Sequence, residues 1–179
     1  RQFGTDFQYL SARGLIATAF DSLTGQWSTQ GPNLYVLARL QTQPNKPVGE
    51  ILEEYYGGFR SAKDAVREYF HHWEVVSEAI TDAKIDEAVA NHGNPNPTFG
   101  FLVYAHTIFT PAVMSQGRAL LTQAQAAAQD DPLAAERVAF LQRGLRRAEL
   151  TLAAQAAFRA CQQNQGDATF QAAVRELDS

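Results

Sequence analysis

The sequence predicts a mainly α protein in which one terminal barrel-type βα unit precedes an all-helical bundle domain. Three observations predict it. Ala12 to Phe20 is the one short apolar run with the length and content of a buried strand, bounded by Arg13-Gly14 and Asp21-Ser22. Downstream, apolar residues recur at spacings of three and four. Proline and glycine then fall where helix starts and stops belong.

A lone strand leaves its backbone N–H and C=O groups unpaired, and nothing later in the chain offers a partner strand. Residue 1 is Arg, and no signal-peptide pattern follows it. Both features lead us to expect the C-terminal part of a larger protein whose other strands lie upstream. On this reading residues 1–43 are the end of a barrel-like domain (last strand, active-site loop and helix), and residues 44–179 are a helical bundle domain.

Asp21 to Pro32 is a polar loop with two glycines and a tryptophan. From Pro32, with Pro in the first turn, Leu34, Tyr35, Leu37 and Ala38 fit a short helix, which the stretch from Gln43 to Pro47 breaks. Val48 to Tyr56 is the next helix, stopped by Gly57-Gly58. Ser61 with Asp64 has the capping-box pattern, and Tyr69, Phe70, Trp73, Val76 and Ile80 then form an aromatic-rich stripe. Residues 82–90 extend this helix or form another, and Asn91 to Pro97 is a loop. Phe99 to Ile108 reads as a helix or an irregular buried segment. Thr110-Pro111 opens a helix to about Gln129, and Asp131-Pro132 opens the longest one, to about Gln163. On that last helix Leu141, Leu145, Ala148 and Leu152 make the seam of an antiparallel pair. Gly166 ends it, and Asp167 caps a final helix to Leu177.

Composition bounds the partners. The chain has 179 residues, 45% of them hydrophobic and 19% charged, which allows a real core. A formal charge of −4 with scattered Lys and Arg argues against nucleic acid, which needs a clustered positive surface. Arg143, Arg146 and Arg147 are close, but at helical spacing they read as a solvated face. The lone Cys161 allows no internal disulfide and no cysteine-based zinc site, and reads as a structural thiol. No apolar run reaches the roughly 20 residues that span a bilayer, so no membrane partner is expected.

The loop after the strand carries the candidate site. In parallel barrels the βα loops gather at the C-terminal strand ends and line the active site. Asp21 directly follows the strand. Trp27 can stack on a sugar face, and Gln26 or Gln30 can hydrogen-bond hydroxyls. A glycosidase needs two carboxyl groups flanking the scissile bond, and the chain offers no convincing pair, so the catalytic residues are not identified. Glu68 and His72, four apart on one helix, have metal-ligand spacing. No second cluster supports them, since His92 and His106 stand alone; no metal and no cofactor is expected. Tyr55, Tyr56 and Phe59 read as a packing cluster of which one ring can border the cleft.

The stretch DSLTGQWSTQGPNLYVLARL, followed by PVGEILEEYYGGFRSAKDAVREYFHHWE, resembles the C-terminal region of bacterial glycoside-hydrolase-like proteins of a domain-of-unknown-function family, related in architecture to α-glucuronidases. The likeness covers about residues 10 to 80. It implies that Tyr35, Leu37, Ala38 and Arg39 pack on the outside of a barrel, and that Asp21, Trp27 and Gln30 bind substrate. Catalytic carboxylates in such barrels come from earlier strands. The expectation is thus a fragment of a polysaccharide-processing enzyme, inactive alone, with a helical support or oligomerisation domain. Its partners are a carbohydrate substrate and an upstream barrel domain, with a homo-oligomer left open. A polysaccharide substrate implies export to the periplasm or beyond. The competing expectation is a non-catalytic helical module that binds a protein or a glycan.

Overall fold

A computed structural model describes residues 2–16, 18, 27–92 and 101–164. These residues form eight α-helices and one 3-10 turn: α1 (Gln2–Ser11), α2 (Trp27–Thr42), α3 (Val48–Gly57), the turn Arg60–Ala62, α4 (Lys63–Glu78), α5 (Asp82–His92), α6 (Phe101–Ile108), α7 (Pro111–Ala127) and α8 (Pro132–Asn164). The chain divides into two compact units, residues 1–68 with 121–144, and residues 69–120 with 145–179.

The helical part of the expectation holds, and the expected barrel unit does not show. No strand occurs among the described residues. Arg13-Gly14 is the end of a helix, not the edge of a strand. Gly14 has φ +95°, its N–H donates to the Ser11 carbonyl at 3.2 Å, and the Leu15 N–H donates to the Leu10 carbonyl at 3.2 Å. This pair of bonds around a left-handed glycine is the Schellman stop. Ile16, expected in a buried strand, is 98% exposed. Residues 17 and 19–26 lie outside the described residues, as do the loop 93–97, the final helix 167–177 and the Cys161 side chain.

The second correction concerns α2, which starts at Trp27, five residues before the expected Pro32. Pro32 therefore sits inside the helix, where it lacks an N–H for the carbonyl four residues back. Packing within the first unit offsets that loss. Gly31 is buried with the Tyr55 ring lying directly against its Cα, and Ser28 presses on Gly144 in the same way. Substituents at either glycine would collide, so the first turns of α2 have no room to unwind into a loop.

In this unit α2 packs on both α1 and α3. Val36, Leu40 and Ile51 form the buried centre, with Phe7, Tyr35, Val48 and Leu52 against it. Gly4 lets α1 close on Val48, whose Cγ2 would stand 2.7 Å from an added Cβ. Gln8 Nε2 reaches across to the carbonyls of Pro44 (3.1 Å) and Lys46 (2.8 Å), satisfying two acceptors that the proline-marked break leaves without helical partners. The other half of the unit is a helical hairpin. Its turn at 128–131 joins two arms that bury Leu121, Ala124, Ala128, Ala134, Val138 and Leu141. Small residues at this spacing permit close helix packing.

Two of the three cap devices within the described residues form as expected. Thr110 Oγ1 accepts from the Val113 N–H at 3.3 Å, and Asp131 Oδ1 from the Ala134 N–H at 3.2 Å. Asp131 also pairs with Arg60 Nε at 2.8 Å. Arg60 holds φ +52°, a left-handed conformation uncommon for a residue other than glycine, and this ion pair helps keep it there. Ser61, expected as a cap, lies within the 3-10 turn, and α4 begins after it at Lys63.

In the second unit the aromatic stripe of α4 turns inward. Tyr69 and Phe70 are buried, the Tyr69 and Trp73 rings meet edge-on at 5.9 Å, and Trp73 meets Phe109 at 6.2 Å. Gly117 of α7 makes space for Trp73, whose Cζ2 would be 2.6 Å from an added Cβ. Burial pushes the Tyr69 phenol up to about 12, so it stays protonated at neutral pH.

Two stability predictions follow from this packing. Gly31→Ala should lower the urea midpoint, and Tyr55→Phe, by removing the hydroxyl nearest the new methyl, should recover part of the loss. A double-mutant cycle is expected to give a coupling of about 0.5–3 kcal/mol; zero coupling would mean that the ring does not set the limit at residue 31. Asp131→Ala should cost about 0.5–2 kcal/mol by loss of the cap. Asp131→Asn, which keeps the cap and drops the charge, should lie closer to the parent in the same measurement.

Candidate functional site

The first unit carries an open groove of about 600 Å³, within the usual range for ligand sites. Its floor is aromatic. Tyr35 and Tyr55 meet at 5.7 Å between centroids, and Tyr55 and Phe59 at 5.6 Å, both tilted or edge-on. Such contacts add to the area each ring buries and hold the floor rigid. One wall is the first three turns of α8, where Leu133, Arg137 and Phe140 follow at spacings of four and three and so share a face. Trp27, the first residue of α2, closes the other side.

The apolar rim faces solvent. Trp27 is 54% exposed, Phe140 43% and Leu133 40%. Scattered exposed apolar residues are ordinary, but three on one groove form a patch of the kind that marks interaction sites.

Charge on the groove is unevenly neutralised. Glu54 borders it and receives Arg39 Nε at 3.1 Å, the Lys46 ammonium, and the Tyr35 hydroxyl at 3.5 Å. The Lys46 contact, then Arg39, holds its carboxyl below the ordinary value. Arg137 donates to the Gly58 carbonyl, a neutral partner. Arg143 lies 5.9 Å from the Phe140 ring centroid and makes no ion pair among the described residues. Behind the groove Lys63 Nζ (2.8 Å) and Arg67 Nη2 (2.9 Å) clamp Glu53, tying α3 to the start of α4. Lys63 and then Arg67 lower the Glu53 carboxyl as well.

Of the residues expected to bind substrate, Trp27 lines this groove. Gln30 is exposed on α2 and is not part of the lining, and Asp21 lies outside the described residues. Tyr55 and Phe59 border the groove. Leu133, Glu136, Arg137, Phe140 and Arg143 were not expected there. Their only sequence signal is an apolar position, Phe140, next to the buried seam residue Leu141. Glu54, with its carboxyl held low by two cations, is a poor general acid, since that role needs a raised value.

The second unit has a smaller recess of about 430 Å³, lined by Val76, Ile80, Lys84, Glu87, Ile108 and Val113 among others. Lys84 Nζ is engaged there with the Ala79 carbonyl at 2.7 Å. His72, weighed above as a metal ligand, meets the Val113 carbonyl at 3.1 Å through Nε2. Among the described residues no three His, Cys, Asp or Glu side chains form a group able to hold a metal ion. No helix among them is long and apolar enough to cross a membrane.

No family model, no curated protein and no solved structure matches the chain.

The paired carboxylates generate a pH prediction. A folded-state value below the unfolded one contributes stability above the unfolded value, and that contribution is lost as pH falls through the folded one. Parent protein should therefore melt higher than Glu54→Gln at pH 7, and the gap should close below the ordinary value of 4.5. Thermal melts from pH 7 to pH 3 check it, and a gap that widens in acid would contradict the assignment.

Proposed function

We propose that the chain is a helical binding module whose first-unit groove takes an amphipathic segment of a protein partner. The observation that carries this reading is the convergence of Trp27, Leu133 and Phe140, each exposed by two fifths or more, around a rigid aromatic floor. Partner helices insert apolar anchors at turn spacing into such grooves, and rigid aromatic residues supply most of the affinity. Of the groove's charged side chains, Glu54 and Arg137 already have partners, which leaves fewer groups for a sugar, whose many hydroxyls each need a hydrogen bond.

One observation favours a second reading. The Trp27 ring is half exposed on a groove that Tyr35 and Tyr55 also line, as a sugar-stacking platform would be. It fits the resemblance to glycoside-hydrolase-like proteins, in which this chain would be the C-terminal part, end of barrel included, of a polysaccharide-processing enzyme.

The chain has only two tryptophans; Trp73 is half-buried against Tyr69 and Phe109 in the second unit, so the exposed Trp27 is the one whose emission a groove ligand shifts. Titration with an 18-residue amphipathic helical peptide carrying a leucine stripe should shift the emission to the blue as Trp27 loses water. By calorimetry, Trp27→Ala or Phe140→Ala should weaken that peptide about tenfold or more, equivalent to about 1.4 kcal/mol. Melting temperatures should stay close to the parent, because both side chains are exposed. Phe158→Ala, exposed but in the second unit, serves as the control and should bind like the parent. Calorimetric heat with hexasaccharides and none with the peptide would replace this reading with the carbohydrate one.

A further inference from the structure

We infer that the segment this groove accepts is an acidic amphipathic helix of about three turns; the inference rests on the protein-binding reading above. Electrostatics carries the sign. The chain as a whole bears a formal charge of −4, yet the groove's lining sets Arg137 and Arg143 against Glu54 and Glu136, and Arg39 and Lys46 behind it both pair with Glu54. Two cations on one carboxylate leave a surplus. Arg137 spends a donor on the neutral Gly58 carbonyl and keeps its charge. Arg143, held over Phe140, has no carboxylate partner among the described residues. A cationic partner would meet this surplus as repulsion, whereas an acidic one would neutralise it, and complementarity of this kind sets partner choice.

Geometry carries the rest. The wall formed by α8 from Leu133 to Arg143 is about 15 Å long, the rise of ten helical residues, so a helix laid along it makes about three turns of contact. Two apolar anchors one turn apart would seat between Trp27 and Phe140, above Tyr55 and Phe59. Arg137 and Arg143 are six residues apart, about 9 Å along the axis, so Asp or Glu placed about two turns apart on the occupant would meet both. Arginine suits this task because its planar fork grips carboxylates bidentately.

The test uses the full chain and three synthetic 18-residue peptides with one leucine stripe and Glu, Gln or Lys on the flanks, with binding read from Trp27 emission. At about 50 mM salt the Glu peptide should bind at least tenfold more tightly than the Lys peptide, with Gln between them. Raising the salt to about 500 mM should narrow the range, since partly exposed pairs are screened. Arg143→Gln, checked by its melting curve, should reduce the ratio of Glu to Gln peptide affinity severalfold. Equal affinities for the three would overturn the acidic assignment and leave the groove reading standing. Preference for the Lys peptide would overturn it too. Binding of none would overturn both readings, as would light scattering that finds a stable dimer whose Trp27 is already shielded from the peptides.

Discussion

Tyr55 occupies its position only because residue 31 has no side chain. A methyl group there would run into the ring, and the ring cannot retreat while it contacts Tyr35 on one side and Phe59 on the other. The consequences spread from this contact. It holds the opening turns of α2 helical in spite of Pro32, which puts Trp27 at the head of a helix rather than in a loop. It also sets the level of the aromatic floor, and so creates the groove between Trp27 and α8. Ser28 against Gly144 is the same device one turn earlier, linking the start of α2 to the wall helix.

Where local chemistry decides the structure, the sequence is readable. The break from Gln43 to Pro47, the start of α3 and the capped starts at Thr110-Pro111 and Asp131-Pro132 depend on residues within a few positions of one another. The long amphipathic pattern of α4 likewise announces which rings will be buried. The failures have a common cause. Arg13-Gly14 fits a strand edge and a helix stop equally well by residue type, and only the bonds from Gly14 and Leu15 back into α1 decide. Phe3, Phe7 and Leu10 have helical spacing, but Gly4 and Thr5 weaken the pattern. Gly4 turns out to be the point where α1 meets Val48. Pro32 looks like a first-turn proline unless the Gly31–Tyr55 contact is known.

The candidate site was legible only by half. Trp27 stood out as a lone aromatic in a polar stretch, and Tyr55, Tyr56 and Phe59 as a packing cluster with one ring able to border a cleft. Their counterparts on α8 are roughly a hundred residues away in sequence, and no periodicity indicates which helix faces which. Positions 140 and 141 illustrate the limit. Both are apolar neighbours in a continuous helix, yet Leu141 is 1% exposed and Phe140 43%. The seam pattern identified the buried residue correctly and passed over the one beside it, because a solvent-facing aromatic carries no local mark of function.

That exposure is the reason to regard the groove as a surface built for contact. The chain had cheaper ways to end the hairpin wall. The buried arms of the hairpin use alanine, valine and leucine, and a polar residue at 133 or 140 would leave that seam intact. Instead, large apolar side chains stand on the solvent side of α8, opposite a half-exposed tryptophan, with arginines spaced along the same three turns. Apolar exposure and unneutralised charge each carry a free-energy cost in the unbound state. A single occupant with an apolar stripe and acidic flanks removes both at once, and that shared relief ties the two features into one surface.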